Sequence, residues 1–293
     1  MQKGKYVRSD IAAECMPEGD GAAEGVVYTV AERGRIRTER LRIENEIGER
    51  SLGKPRGSYV TVAFPPIRLC SDDECAALKK VIAGEIRRFS AAMTKGQGKS
   101  VLIVGLGNRA ITSDAVGPKV SDSITVTRHL NELDRRLLGG SSPWSVAAIA
   151  PGVLGQTGIE TGELVKQTAE AVRPSLIVAV DALASRSVER LAQTVQLSDT
   201  GIAPGSGIGN RRCPLTKEAL GIPVLAVGAP TIIDSSTMIF EALEKAGIES
   251  VSEALSAILD NGRSFFVTPK ENDVIVNDLS ELIASAINAA FTE

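Results

Sequence analysis

Two aspartates stand where catalytic groups collect in α/β proteins. Asp114 lies in the loop leaving an all-aliphatic run, Val101-Leu102-Ile103-Val104, by way of Gly105-Leu106-Gly107-Asn108. Asp181 directly follows a second such run, Leu176-Ile177-Val178-Ala179-Val180. Short aliphatic runs ending at glycine or a charge predict buried parallel strands, and the carboxyl edge of such a sheet is where ligands gather. If the two strands are neighbours, the carboxylates can share a water. Two close carboxylates do not both ionise readily, so one is held protonated as an acid while the other serves as base. Each aspartate also suits a structural post: Asp114 as a helix N-cap with Ser113 as competitor, Asp181 as a capping or turn residue at a strand end.

A third stretch, Gly201–Arg212 (GIAPGSGIGNRR), has no hydrophobic periodicity. Gly205, Gly207 and Gly209 offer unhindered N–H groups, and Arg211 and Arg212 follow them. Together they predict an anion-binding concavity for a substrate carboxylate or an oxyanion, with a plain surface loop as the alternative. Other chemistries fit less well. Gly105-x-Gly107 lacks the third glycine of a dinucleotide loop, since position 110 is Ala. Ser206 lacks the nucleophile elbow, with Pro204 and Ile208 where glycines are needed. The single histidine, His129, sits in a helical pattern, which excludes a His-rich zinc site. A metal held by Asp114, Asp181 and a third carboxylate, such as Glu160 or Asp234, stays open. The four cysteines form no framework and read as reduced thiols, and no cofactor is expected.

The elements that must position these groups follow from composition and pattern. The chain has 293 residues, 43% of them hydrophobic but only 3% aromatic, so its core is aliphatic, as suits a sheet wrapped in helices. A net charge of −3 gives no argument for a nucleic-acid or membrane surface. No run approaches the length of apolar residues that a membrane span needs. Residues 1–25 read as a mobile polar leader. Val26–Val30 and Ile36–Ile43 form a hairpin turning at Gly34, and Tyr59–Phe64 is a strand. Helices are predicted over 72–93, 114–138, 160–172, 235–261 and 278–291. Strands are predicted over 101–104, 145–149, 176–180, 194–197 and 224–227. The alternation makes an α/β protein: a three-layer twisted, mostly parallel sheet with helices on both faces and an N-terminal β-hairpin extension.

Several long motifs then resemble one family. GLGNRAITSDAVGP, APGVLGQTGIET, AVDALASR, QLSDTGIAPGSGIGNRR, GIPVLAVGAPTIID and VTPKENDV, in this order, are similar to the germination proteases of spore-forming bacteria. The resemblance runs from about residue 6 to the C-terminus. It implies an endopeptidase that starts the degradation of small acid-soluble spore proteins, in the cytoplasm of the forespore or spore core. It places the catalytic aspartates on Asp114 and Asp181, and it implies a homotetramer. The fold resembles that of hydrogenase maturation endopeptidases, in which a carboxylate, an Asp and a His bind a metal; the His has no evident counterpart here, which favours an aspartic-type mechanism over a metallo-type one. A binding protein without catalysis is the remaining alternative. The family is made as a zymogen cut at a site with an acidic residue before an apolar one, then Ala. Ser9-Asp10-Ile11-Ala12-Ala13 has that form, so residues 1–10 are the expected propeptide, cut between Asp10 and Ile11, and 11–293 the peptidase domain. Arg109 and Ser113 depart from the family's usual aromatic and Pro.

Overall fold

A computed structural model describes residues 9–17, 23–96, 99–133, 144–203, 213–248 and 265–292, with positions 252, 255 and 258. Its strands are β1 (Val26–Arg33), β2 (Ile36–Ile43), β3 (Gly57–Ala63), β4 (Ser100–Gly105), β5 (Ser145–Ile149), β6 (Leu176–Ser185), β7 (Thr194–Ser198), β8 (Val224–Asp234) and β9 (Phe266–Val267). Its helices are α1 (Glu46–Leu52), α2 (Asp72–Thr94), α3 (Val116–Asp122), α4 (Arg128–Leu133), α5 (Leu154–Thr157), α6 (Thr161–Val172), α7 (Lys217–Leu220), α8 (Ser235–Lys245) and α9 (Asn272–Phe291).

The strands form one sheet in the order β1-β2-β3-β7-β8-β6-β4-β5, with β9 added to β8. The segment β5-β4-β6-β8 is parallel; the hairpin side and β9 join it antiparallel. The predicted hairpin is therefore the outer edge of the same sheet. Side chains alternate across the strands. Val101, Ile103, Leu176, Val178 and Val180 pack on one face with α2, α3 and α9, while Leu102, Val104, Ile177 and Ala179 pack on the other with α6. Helices thus cover both faces, as the alternating pattern predicts. α9 is long and apolar enough to cross a membrane by composition alone. In this fold its Val276, Leu279, Ile283 and Ile287 are buried in the helix-covered core instead.

Several expectations need correction. The strand predicted to stop at Val180 runs on to Ser185, because Ala182–Ser185 keep pairing with β8, which itself extends to Asp234 rather than Val227. Asp181 is therefore inside a strand, not at its end. An Asp is a poor strand residue, but the neighbouring strand overrides that preference. The helix expected over 114–138 is broken into α3 and α4. The β-branched run Ile124-Thr125-Val126-Thr127 favours an extended chain. Asn288 of α9 accepts from the Thr125 N–H and donates to the Ser123 carbonyl, while the Thr127 N–H donates to the Val146 carbonyl. α8 ends at Lys245, and α9 starts at Asn272, earlier than the pattern indicates. Residues 9–16 are not a loose leader: Ile11 and Ala12 are fully buried.

A buried carboxylate ties the hairpin to the sheet. Glu39 of β2, almost wholly buried, accepts from Arg190 at 2.7 and 3.0 Å and from the Tyr28 hydroxyl at 3.0 Å. Burial opposes its charge, but Arg190, Tyr28 and Arg37 outweigh burial and hold the carboxyl below its ordinary range. Glu39→Ala, which leaves Arg190 without its partner, should lower stability by about 3 kcal/mol in urea unfolding. Because the folded value lies below the unfolded one, this stabilisation is complete above about pH 4.3 and fades as pH falls through the folded value. Glu39→Gln should accordingly flatten the acid limb of stability against pH.

Candidate active site

The parallel register brings the two aspartates to one place. β4 ends at Gly105, paired with Val180, and the Leu106 N–H still donates to the Val180 carbonyl at 2.8 Å. From there β6 continues alone on that side. The loop from β4 then folds back over this point. Gly107, at φ +113, lies so close to the loop that a Cβ would sit 2.1 Å from the Asp114 carbonyl oxygen. Gly117, at the start of α3, would place a Cβ 2.2 Å from the Leu106 oxygen and 2.4 Å from the Val180 oxygen. The glycines of Gly-x-Gly thus serve close backbone approach around Asp114.

Asp114 does not cap a helix; Ala115 holds that position for α3. Its Oδ2 accepts the Asn108 N–H at 2.7 Å. Asn108 is held in turn: its Oδ1 accepts from the Ala110 N–H at 2.9 Å and from Gln156 Nε2 at 2.7 Å. The Thr231 hydroxyl of β8 donates to the Ser113 carbonyl at 2.6 Å, anchoring the other side of the loop. Arg109 points elsewhere, to an ion pair with Asp122 on the surface. Asp181 is buried, and its Oδ1 accepts the N–H of Ala182 at 2.9 Å. Asp114 is half-buried, and both carboxylates line one cavity of about 840 Å³.

Ser9 and Asp10 of the N-terminal segment line the same cavity. Ala184, four residues beyond Val180, turns its backbone toward the side that β4 has left open. Its carbonyl accepts the Asp10 N–H at 2.9 Å, and its N–H donates to Asp10 Oδ2 at 2.8 Å. Asp10 lies on β6 three residues, or ~10 Å, beyond Asp181. On the far wall, Lys54 Nζ donates to the Ser9 carbonyl at 2.8 Å. Gln196 of β7 donates from Nε2 to the Asp10 carbonyl at 3.0 Å and accepts the Ala12 N–H on Oε1 at 2.6 Å. Ile11 packs with Ala13, Leu183 and Ile202, and Ala12 packs with Leu41, Ile43, Leu52 and Tyr59 of the hairpin region. Glu14 enters a socket at the end of β6, accepting from the Arg186 N–H at 2.7 Å, the Ser187 N–H at 3.0 Å and the Ser185 hydroxyl at 3.0 Å. Burial pushes the Tyr59 phenol in the cavity wall up to about 12, so at neutral pH it is a donor, here to the Pro55 carbonyl.

Asp10, Asp114 and Asp181 thus line one cavity, while Ile11 packs beside it with Leu183 and Ile202. Gly205, Gly207, Arg211 and Arg212 lie outside the described residues. His129 is exposed on α4, which leads into the amino end of β5, across the sheet from Asp181. Asp234 is spent as the N-cap of α8, accepting from Ser236 and Thr237. Glu160 precedes α6 with one carboxylate oxygen buried and unpartnered. Among the described residues no group of three or more His, Cys, Asp or Glu side chains is placed to hold a metal ion. Among the described residues the donor set therefore does not reproduce a carboxylate-Asp-His metal site. Gln196 and the Glu14 socket escaped the reading of the sequence. Gln196 heads the motif QLSDTGIAPGSG but looks there like an ordinary polar residue of an alternating strand.

A family profile described as germination protease matches residues 8–246. Germination proteases from Caldanaerobacter subterraneus subsp. tengcongensis and Clostridium perfringens are 39% and 37% identical, each over 97% of this chain and 94% of the relative. One from Priestia megaterium is 32% identical over 96% of this chain and 90% of its own length. Among solved structures, a [NiFe] hydrogenase maturation protease, HycI from Thermococcus kodakarensis KOD1, aligns with a TM-score of 0.35 at 20% identity, covering 65% of this chain and 94% of that one.

The close packing around Asp114 is open to a direct check. Gly117→Ala forces a methyl against two backbone oxygens that cannot yield, so it should lower stability by about 2 kcal/mol. Gly155→Ala in α5, where a Cβ meets nothing within 4 Å, should leave stability unchanged or raise it by about 0.5 kcal/mol. Urea unfolding of both variants distinguishes the two.

Proposed function

The chain belongs to the germination protease family, a peptidase family acting in spore germination, and from that premise we propose that Asp114 and Asp181 hydrolyse the peptide bond by activating a water between them. One carboxylate, ionised, takes a proton from the water as it attacks the scissile carbonyl. The other, protonated, donates to the developing oxyanion region and then supplies a proton to the leaving amine. The single observation that carries the reading is that Ser9 and Asp10 line the same cavity as both aspartates, with Asp10 held on the backbone edge of β6 at Ala184. Adding a strand to an open sheet edge is a general way to hold an extended peptide, because the main chain supplies the hydrogen bonds and pockets read alternate side chains.

On this reading the enzyme is a zymogen that cuts itself between Asp10 and Ile11, in the spore core. Its substrates are small acid-soluble spore proteins carrying an acidic residue, an apolar one and then Ala, and it works as a homotetramer. Asp10 and Ile11 occupy the acidic and apolar places: Asp10 against the Ala184 backbone, Ile11 in the pocket of Leu183 and Ile202. Arg211 and Arg212, with Gly205 and Gly207, are the proposed receivers of the substrate's acidic residue. An aspartic-type mechanism is favoured over a metallo-type one because the histidine ligand of the hydrogenase maturation group has no evident counterpart in this sequence.

Asp114→Asn and Asp181→Asn should each lower kcat for a peptide spanning residues 8–14 by about 10³-fold or more, while retaining peptide binding. Chelation of divalent metals should leave the wild-type rate unchanged. Loss of binding in place of turnover would indicate a binding protein, and loss of the rate on chelation with recovery on zinc addition would indicate a metallopeptidase.

A further inference from the structure

We propose that Gln196 is a catalytic residue: its side-chain amide holds the oxyanion formed on the scissile carbonyl and fixes the peptide main chain on either side of that bond. The inference rests on the reading of Asp10–Ile11 as the bond that is cut.

The geometry is specific. The carbonyl of the Asp10–Ile11 peptide bond is the Asp10 C=O, and Gln196 Nε2 donates to it at 3.0 Å. The same amide accepts the Ala12 N–H through Oε1 at 2.6 Å. Only one orientation of a glutamine amide can donate to a carbonyl and accept from an N–H, so the pair of contacts fixes which end faces the carbonyl. An oxyanion site requires donors about 2.7–3.1 Å from where the oxyanion will stand, and Nε2 already meets the carbonyl oxygen from which it forms. Gln196 is 8% exposed, where hydrogen bonds count for more than in water. Both partners belong to the segment being cut, not to the sheet, so the amide serves whatever chain lies in the cleft.

Its position relative to the aspartates follows from register. Gln196 pairs with Gly228 across β7 and β8, and Gly228 pairs with Asp181 across β8 and β6. Val195 and Leu197 point into the core covered by α2 and α9, so Gln196 points to the opposite face. Asp181 follows Ile177 and Ala179 onto that same face. Gln196 and Asp181 therefore stand in one row of the sheet on one face, about 10 Å apart at the backbone, with a residue lacking a side chain between them. The Leu183 side chain lies over Gly228 in that row, and the segment that Gln196 holds rests beyond it, on Ala184.

The step balances without any further reactant. The water oxygen bonds to the Asp10 carbonyl carbon, the carbonyl π electrons move onto its oxygen, and the Gln196 N–H receives that charge. The water proton passes to the ionised aspartate. When the oxyanion collapses, the C–N bond breaks and the other aspartate's proton goes to the Ile11 nitrogen, leaving a free amine on Ile11 and a new carboxylic acid on Asp10, whose remaining proton passes to the aspartate that has just given up its own.

The test is the first-order rate of self-cleavage of the full chain, followed by mass, for wild type, Gln196→Glu and Gln196→Met. Hydrogen exchange over residues 9–16 reports whether the segment stays seated. Glutamate keeps the acceptor for Ala12 but has no donor while ionised. Gln196→Glu should stay seated, lose about 10²- to 10³-fold in rate near neutral pH, and recover relative to wild type as pH falls and its carboxyl is protonated. Gln196→Met should lose at least as much at every pH. Both variants within about threefold of wild type would overturn the proposal, and so would a loss in Gln196→Met alone, which would make the amide a clamp and not an oxyanion donor. A folded wild type that cuts no bond, or another bond, would overturn the reading beneath it, and the role of Gln196 with it.

Discussion

β6 outruns its neighbour. β4 stops at Gly105, level with Val180, while β6 continues to Ser185 with β8 on its other side. Backbone N–H and C=O groups shielded from water require partners, and an open strand edge is a template for another chain. Beyond Val180 the open edge of β6 is met in two ways. Asp181 turns its own carboxylate onto the N–H of Ala182, and the Asp10 segment takes both backbone groups of Ala184. The catalytic reading depends on this one mismatch in strand length. It opens the cavity beside Asp181 and leaves free the backbone edge on which Asp10 docks.

The loop carrying Asp114 reaches the cavity only because side chains are missing where it crosses the sheet. Gly107 and Gly117 let backbone pack on backbone at distances that no Cβ permits. Asn108, held by Gln156, then donates its N–H to the Asp114 carboxylate, and Thr231 holds the carbonyl of Ser113. The hairpin and α1 supply the opposite wall, burying Ala12 against Leu41, Ile43 and Leu52. Glu39, bound to Arg190, ties that wall to the turn that follows β6. The hairpin at the edge of the sheet is thus part of the cleft's construction.

Much of this was legible in the sequence, for physical reasons that differ by element. The aliphatic runs at 101–104 and 176–180 predict buried parallel strands because burial on both faces leaves no room for polar alternation. Two carboxylates leaving such runs could be paired before any geometry was known. The continuation of β6 past Asp181 was not legible, since strand extension there depends on pairing with β8, a contact distant in sequence. The break between α3 and α4 depends likewise on Asn288, far along the chain. Residues 9–16 look like a polar leader because their burial is supplied by the cleft rather than by their own pattern. Gln196 carries no local mark at all; its role rests on what lies opposite.

The central claim is that the segment in the cleft is there to be cut by Asp114 and Asp181. The most direct measurement is the intact mass and first residue of the full chain after incubation, for wild type, Asp114→Asn and Asp181→Asn. The account predicts a wild-type product beginning at Ile11 and two variants that remain whole. A wild-type product beginning at any other residue, or the same product from either variant, would contradict it.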